Sequence, residues 1–468
     1  MATVKDYSFG TESLCPVCLR KIPAKRESRG DDVFLVKTCE DHGPFETIIW
    51  RGKPLMENWQ RPKKPEHAAL FYAEARKGCP FDCGLCEAHQ QIPCSVLLEV
   101  TDRCNLKCTV CFADAGYTKR DDLQPGKIRW LLERAIAATG PSNLQISGGE
   151  PTLRDDLPEI VKLAQDVGYS FVQVNTNGIR LASDRDYVNR LKEAGLSSVF
   201  LQFDALSDAI YEKLRGKALF DVKLKAVDNC GASGIGVVLV PTLVKGINTG
   251  SIGDIVRLAL GMSPTVRGIH FQPISYFGRF PGEANDKRRF TLPELMRTLE
   301  EQTNGLLKVS DFSPPGCEHA HCSFHASYMN SPDGKLRPLT TENNEVCCSV
   351  EFSSGGVKET VDTVSRRWTL PPRTPSADGC LPVLGNSCCN QPPLTRIEED
   401  LDLDFLLRNA ARGSFTISAM AFQDADNLDL ERLRGCCISV ISHDGTLVPF
   451  CAYNLTARNG QTLYRPGR

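Results

Sequence analysis

The chain carries 468 residues, with 55 Lys and Arg against 57 Asp and Glu and a hydrophobic share of 41%. That balance leaves no basic surplus for nucleic acid, and no apolar run approaches the ~18 residues that cross a bilayer. The opening residues are polar, which argues against a secretory leader and for the cytoplasm.

In chain order, residues 1–60 read as a metal-binding ribbon. Cys15-Pro16-Val17-Cys18 and Cys39-Glu40-Asp41-His42 make two halves of a tetrahedral site. The spacing does not choose between iron and zinc, and another cysteine can replace His42. Residues 61–94 hold Cys79, Cys83, Cys86 and Cys94, four thiolates that can close a [4Fe–4S] cluster.

Residues 95–305 alternate strand and helix. Strands are expected at Ser95–Val100, Asn143–Ser147, Phe171–Asn175, Ser198–Phe203, Gly236–Leu243 and Gly268–Gln272. Between them lie helical segments such as Lys127–Ala138, where Ile128, Leu131, Leu132 and Ala135 share one face. Repeated β/α units argue for an α/β fold with a parallel sheet and a site at the carboxyl ends of its strands. Residues 306–468 form a cysteine-rich extension with many Pro, Gly and Ser. Cys317 and Cys322 point to a further cluster, with Cys348, Cys437 and Cys451 as added candidate ligands. Adjacent cysteines, such as Cys436 and Cys437, are not expected to serve one metal. The stretch Cys437–Cys451 reads as a hairpin turning at His443-Asp444-Gly445.

The most informative segment is Cys104-x3-Cys108-x2-Cys111, directly after the first barrel strand. Three cysteines hold three corners of a four-iron cluster and leave one iron for a ligand that is not protein. Ser147-Gly148-Gly149-Glu150-Pro151 follows the second strand. Its glycines allow a ligand close to the backbone, and Glu150 can accept from an ammonium; the same residues also suit a tight turn. Asn175-Thr176-Asn177-Gly178 follows the third strand and offers groups to a ribose. Gln202 and Asp204 end the fourth. His270 lies on the sixth, where a satisfied core histidine is the plainer reading.

Taken together, Ser95 to Pro273 resembles the radical S-adenosylmethionine (SAM) superfamily. The resemblance implies a partial, six-stranded β/α barrel with metal-binding extensions at both ends. It implies a [4Fe–4S] cluster on Cys104, Cys108 and Cys111, with SAM on the open iron. SAM contacts would come from Phe112, Gly148, Gly149, Glu150, Pro151, Asn175, Asn177, Gln202, Asp204 and His270. Cys79, Cys83 and Cys86 repeat the spacing, but lack an aromatic residue after the last cysteine and do not follow a strand.

Over nearly the full length, the chain is similar to the archaeal tetraether synthase group, also described as methylating a dihydropterin. The segments that carry this are the CPVC ribbon, CPFDCGLC, CNLKCTVCFADAG and CCISVISHDGTLVPFCAYN. The similarity implies one or two auxiliary [4Fe–4S] clusters, a mononuclear iron or zinc in the ribbon, and an electron donor such as ferredoxin or flavodoxin. It also implies a lipid or other small-molecule substrate, the lipid case bringing peripheral membrane contact. The expected reaction is radical opening of an sp3 C–H bond and coupling of lipid alkyl carbons. The rivals are a radical SAM methyltransferase acting on a pterin-like heterocycle and an Fe–S electron carrier without SAM chemistry.

Overall fold

In the computed structural model the described residues are 7–61, 63, 65–116, 121–280, 282–331, 334–339, 357–371, 394–397 and 413–465. The amino-terminal ribbon is an antiparallel sheet of β1 (Ser8–Leu14), β2 (Lys21–Arg29), β3 (Asp32–Cys39) and β4 (Gly43–Trp50), in that order. Alternate residues of β3, Val33, Leu35 and Lys37, turn inward. Lys37 is a buried ammonium whose Nζ donates to Ser13 Oγ at 3.0 Å and to the Ala425 carbonyl at 2.8 Å. With the Arg26–Asp429 ion pair at 2.6 Å, it ties the ribbon to the carboxyl-terminal segment.

The central sheet begins with β5 (Ser95–Glu99), α1 (Pro125–Thr139), β6 (Asn143–Ser147), α2 (Leu157–Val167) and β7 (Val172–Thr176). It continues with α3 (Ile179–Ser183), α4 (Arg185–Glu193), β8 (Ser198–Gln202), α5 (Asp208–Arg215), α6 (Phe220–Ala232), β9 (Gly236–Val240) and β10 (Thr242–Leu243). Then come α7 (Ile252–Gly261), β11 (Val266–Pro273), α8 (Leu292–Gln302), β12 (Ser323–Asn330), β13 (Lys335–Pro338), α9 (Val357–Trp368), β14 (Thr395–Arg396) and β15 (Ser414–Met420). The last elements are α10 (Leu430–Arg434), β16 (Ile438–Ile441), β17 (Leu447–Pro449) and α11 (Phe450–Asn454).

The six expected strands β5, β6, β7, β8, β9 and β11 pair in parallel and in chain order. The carboxyl-terminal segment widens this partial barrel at both edges. β15 adds in parallel to β11, and β16 adds in parallel to β5. The expected hairpin is β16 with β17, and its first strand completes a barrel edge.

Period-two alternation divides each barrel strand between two environments. Outward residues such as Val96, Leu98, Leu144, Ile146, Val172 and Val174 pack in the apolar core with residues of the surrounding helices. Inward residues, including Leu97, Gln145, Gln173, Phe200 and His270, line a cavity. Phe200 packs against Trp368 of α9, whose indole N–H donates to Thr416 Oγ1 of β15 at 3.1 Å. Phe422 and Phe450 stack with centroids 4.4 Å apart, and Phe112 and Phe277 join them. No helix among the described residues is long and apolar enough to cross a membrane.

Candidate active site

One cavity of about 280 Å³ occupies the barrel. Cys104, Cys108 and Cys111 line it at the carboxyl ends of the strands, and Cys94, Ser95 and Asn143 line it where β5 and β6 begin. Arg279 holds the cysteine loop. Its Nε donates to the Cys108 carbonyl at 2.6 Å, and its backbone exchanges hydrogen bonds of 2.8 and 2.9 Å with Cys111.

The two glycines after β6 serve that loop. A Cβ on Gly148 would lie 2.3 Å from the Thr101 carbonyl oxygen, and one on Gly149 would lie 2.2 Å from that of Arg103. The Gly149 and Glu150 amides donate to those same carbonyls at 2.8 Å. Close approach is the glycines' role, as expected, but what they approach in this structure is the loop backbone.

Glu150 is buried, and its carboxylate accepts four hydrogen bonds, three of them on Oε1. It accepts from the Thr152 amide and hydroxyl at 3.0 and 2.6 Å, the Thr176 hydroxyl at 2.7 Å and the Asn177 amide at 2.7 Å. It therefore fixes the turn after β7. Asn177 in turn donates to Asn105 Oδ1 at 2.7 Å, within the cysteine loop.

Phe112, Gly148, Gly149, Glu150, Asn175, Asn177, Gln202 and His270 all line the cavity, whereas Pro151 and Asp204 do not. Pro151 instead starts a short 3-10 turn. Asp204 is wholly buried and bound to Arg215, which donates from Nε and Nη2 at 2.8 and 2.7 Å. Arg215 reaches the cavity and donates to the Val110 carbonyl at 3.0 Å. Asp204 thus acts by positioning a guanidinium. Sequence reading missed Arg215, which resembles any basic residue in the last turn of a helix; only its burial against Asp204 sets it apart. His270 bonds Ser418 Oγ at 2.9 Å through Nδ1, and burial lowers its pKa to about 4, so the ring is neutral at pH 7.

The donor set fits an iron–sulfur cluster. Burial pushes the Cys104 thiol up to about 12 and raises Cys111 as well. Such thiols become thiolates when a metal replaces the proton. Cys104, Cys108 and Cys111 would hold the cluster, with Arg215 beside Cys108.

In the ribbon, the ligand atoms of Cys15, Cys18, Cys39 and His42 all lie within 4.8 Å of one another. They come from the β1–β2 and β3–β4 turns. The His42 hydrogen bond draws the Cys39 thiol down to about 6, favouring a ligand-ready thiolate.

The expected set Cys79, Cys83, Cys86 and Cys94 does not converge. Cys94 leads into β5, where its amide donates to the Cys437 carbonyl at 2.9 Å. Its thiol joins those of Cys317 and Cys437, all within 4.8 Å. Cys79, Cys83 and Cys86 remain together at a separate small cavity beside Arg434. Cys317 and Cys322 likewise part: Cys322 accepts from Arg432 at 3.3 Å and neighbours Cys436 and Cys451. Cys436 and Cys437, though adjacent, face different groups, as expected for successive positions leading into a strand. Cys348 lies outside the described residues.

The Cys94, Cys317 and Cys437 group has two neighbours that sequence reading did not single out. Glu318 lines the barrel cavity beside it. Lys63 acts electrostatically on both Cys317 and Glu318, and its buried Nζ has no hydrogen-bond partner among the described residues. Three converging thiols with a lysine beside them could hold a metal there.

The chain is similar to known proteins along most of its length. The model of the radical SAM superfamily matches residues 98–259, and that of the HMPTM N-terminal zinc ribbon domain matches residues 7–51. The 7,8-dihydro-6-hydroxymethylpterin dimethyltransferase of Methanocaldococcus jannaschii is 34% identical, over 96% of this chain and 94% of that protein. Molybdenum cofactor biosynthesis protein 1 of Bos taurus is 29% identical over 69% of this chain and 52% of its own length. Among solved structures, Streptococcus suis SuiB bound to S-adenosylmethionine aligns with a TM-score of 0.38 and 17% identity, covering 46% of this chain and 48% of that one.

Proposed function

We propose that this chain, which belongs to the radical SAM superfamily, is an enzyme that transfers a methyl group to a pterin-like heterocycle held inside the barrel. The observation that carries this reading is the barrel cavity. It is lined at one end by Cys104, Cys108 and Cys111 and continues through the barrel interior, so a substrate there lies open to chemistry begun at the cysteine loop. The long relative named as a pterin dimethyltransferase supports the choice of substrate and group.

When bound, the cluster and SAM supply a 5'-deoxyadenosyl radical, an oxidant strong enough for an unactivated C–H bond. The chain's own residues shape the chamber for it. Arg215, fixed by Asp204, offers a guanidinium to the SAM carboxylate. Glu150 anchors Asn177, and Asn177 and Gln202 present polar groups to the nucleoside. Neutral His270 packs against Phe200 and adds no charge to the interior. Phe112 and Phe450 close apolar surface over the loop and keep water from it.

A second reading is coupling of lipid alkyl carbons. It is favoured by the aromatic group Phe112, Phe277, Phe422 and Phe450, which lines the same cavity and would suit an alkyl chain. The same assay separates the two. The anaerobically reconstituted protein is incubated with methyl-deuterated SAM, dithionite and either 7,8-dihydro-6-hydroxymethylpterin or an isoprenoid ether lipid. Deuterium in the pterin supports methyl transfer, and an unlabelled coupled lipid supports the second reading. SAM left intact beside a fully loaded cluster rules out both.

A further inference from the structure

We infer that the wall formed by β5, β6 and β7 is a substrate-recognition surface, built for an uncharged, planar ligand edge that both donates and accepts hydrogen bonds. The inference rests on the reading of the barrel as the substrate chamber, and not on which carbon–carbon bond is formed.

The wall is polar where barrel interiors are commonly filled with branched apolar side chains. Ser95, Asn143, Gln145, Gln173 and Asn175 occupy inward positions on three neighbouring strands, and all line the cavity. Their register brings them side by side: Ser95 pairs with Asn143, and Gln145 with Gln173. Only part of their hydrogen-bonding capacity is used within the protein. Asn175 Nδ2 donates to Gln145 Oε1 at 3.1 Å, and Gln173 Nε2 donates to Ser198 Oγ at 3.2 Å.

Four atoms of this wall have no hydrogen-bond partner among the described residues: Ser95 Oγ, Asn143 Oδ1, Gln173 Oε1 and Asn175 Oδ1. Gln173 is 0% exposed and Asn143 4%, so bulk water does not reach them freely. Buried polar groups are ordinarily satisfied, and four such atoms on one cavity wall call for a ligand that satisfies them. Side-chain amides can present oxygen or nitrogen by a flip, so the wall meets donors and acceptors alike.

Charge narrows the ligand further. The acidic and basic side chains that line the cavity are Glu150, Arg215 and Glu318, none of them on this wall. Glu150 is engaged in four hydrogen bonds and Arg215 is paired with Asp204. A phosphate would find no cation along β5–β7, and an alkyl chain would leave the four atoms unsatisfied. The next strands supply the complementary surface. Phe200 of β8 lines the cavity, with Trp368 packed 5.8 Å from it and His270 5.4 Å from it, ring centre to ring centre. A flat ring can lay its face on this aromatic side and turn its lactam or amino edge to the amides.

The test is binding to the full-length, anaerobically reconstituted holoenzyme with SAM present, measured by calorimetry. The probes are 7,8-dihydro-6-hydroxymethylpterin and guanosine, compared with a long-chain alkyl alcohol. Gln173→Leu and Asn143→Leu should each weaken the bound heterocycle by at least about tenfold, while SAM affinity and the cluster's visible spectrum stay unchanged. If Gln173→Leu fails to fold, Asn143→Leu on the neighbouring strand gives the same readout. Heterocycle binding indifferent to folded variants, or binding of the alkyl probe alone, overturns the inference. Wall-dependent binding of the pterin without label transfer would leave the inference standing and remove the methyl-transfer reading.

Discussion

The ribbon and the barrel loop both present cysteines from short turns, yet they are built for opposite ends. In the ribbon, four ligand atoms from Cys15, Cys18, Cys39 and His42 converge within 4.8 Å, enough to fill a tetrahedral coordination shell. In the barrel loop, three thiols face a cavity, and the missing fourth ligand is replaced by space. A closed tetrahedral site stabilises its fold, whereas an open one admits a reactant. The number of ligands and what they face therefore separate structure from chemistry, where cysteine spacing alone does not.

The sharpest way to break this contrast is Cys108→Ala. SAM cleavage should fall by at least about 1,000-fold, since the cluster loses a corner, while metal analysis still finds the ribbon ion. Loss of metal from both sites would show that they are not independent. A smaller effect on the same side is expected from Asp204→Asn, which leaves Arg215 buried without its counter-charge. Breaking a buried pair costs about 3–5 kcal/mol, so chemical denaturation should register it along with weaker SAM binding. Unchanged SAM affinity would remove Arg215 from the site.

On the ribbon side, Cys15→Ala should release one metal ion per chain and lower the melting temperature, with SAM cleavage by the folded enzyme retained. Equal stability with and without the ion would contradict the structural role. The gentlest perturbation is pH. Burial holds His89 and His325 at about 4, against an ordinary value of 6.5. Between those values the unfolded chain binds more protons than the folded one, so stability rises with pH there and is lost on acidification. Thermal unfolding followed from pH 7 to pH 4.5 should show that loss, and His89→Gln should reduce it. A flat profile would mean these rings are not buried in solution.

Much of the barrel was legible because its signals are local. Short apolar runs between helical segments mark β5 to β9, and the cysteine loop, the glycine pair and the Asn175–Gly178 turn each follow a strand. The auxiliary cysteines were less legible because their partners are set by long-range pairing. Nothing near Cys94 announces Cys437; the β5–β16 ladder brings them together across more than 300 residues. The same ladder, with that between β11 and β15, widened the expected partial barrel. Arg215 was hidden for a different reason. Its helix is amphipathic, and only burial against Asp204 distinguishes it from the exposed Lys213 two residues earlier.

The central claim is that the cavity beside Cys104, Cys108 and Cys111 performs radical SAM chemistry. Its most direct test is the formation of 5'-deoxyadenosine by the anaerobically reconstituted chain given SAM and dithionite. The unaltered chain should yield 5'-deoxyadenosine and methionine, and Cys108→Ala neither. A loaded, reducible cluster that leaves SAM uncleaved would contradict it.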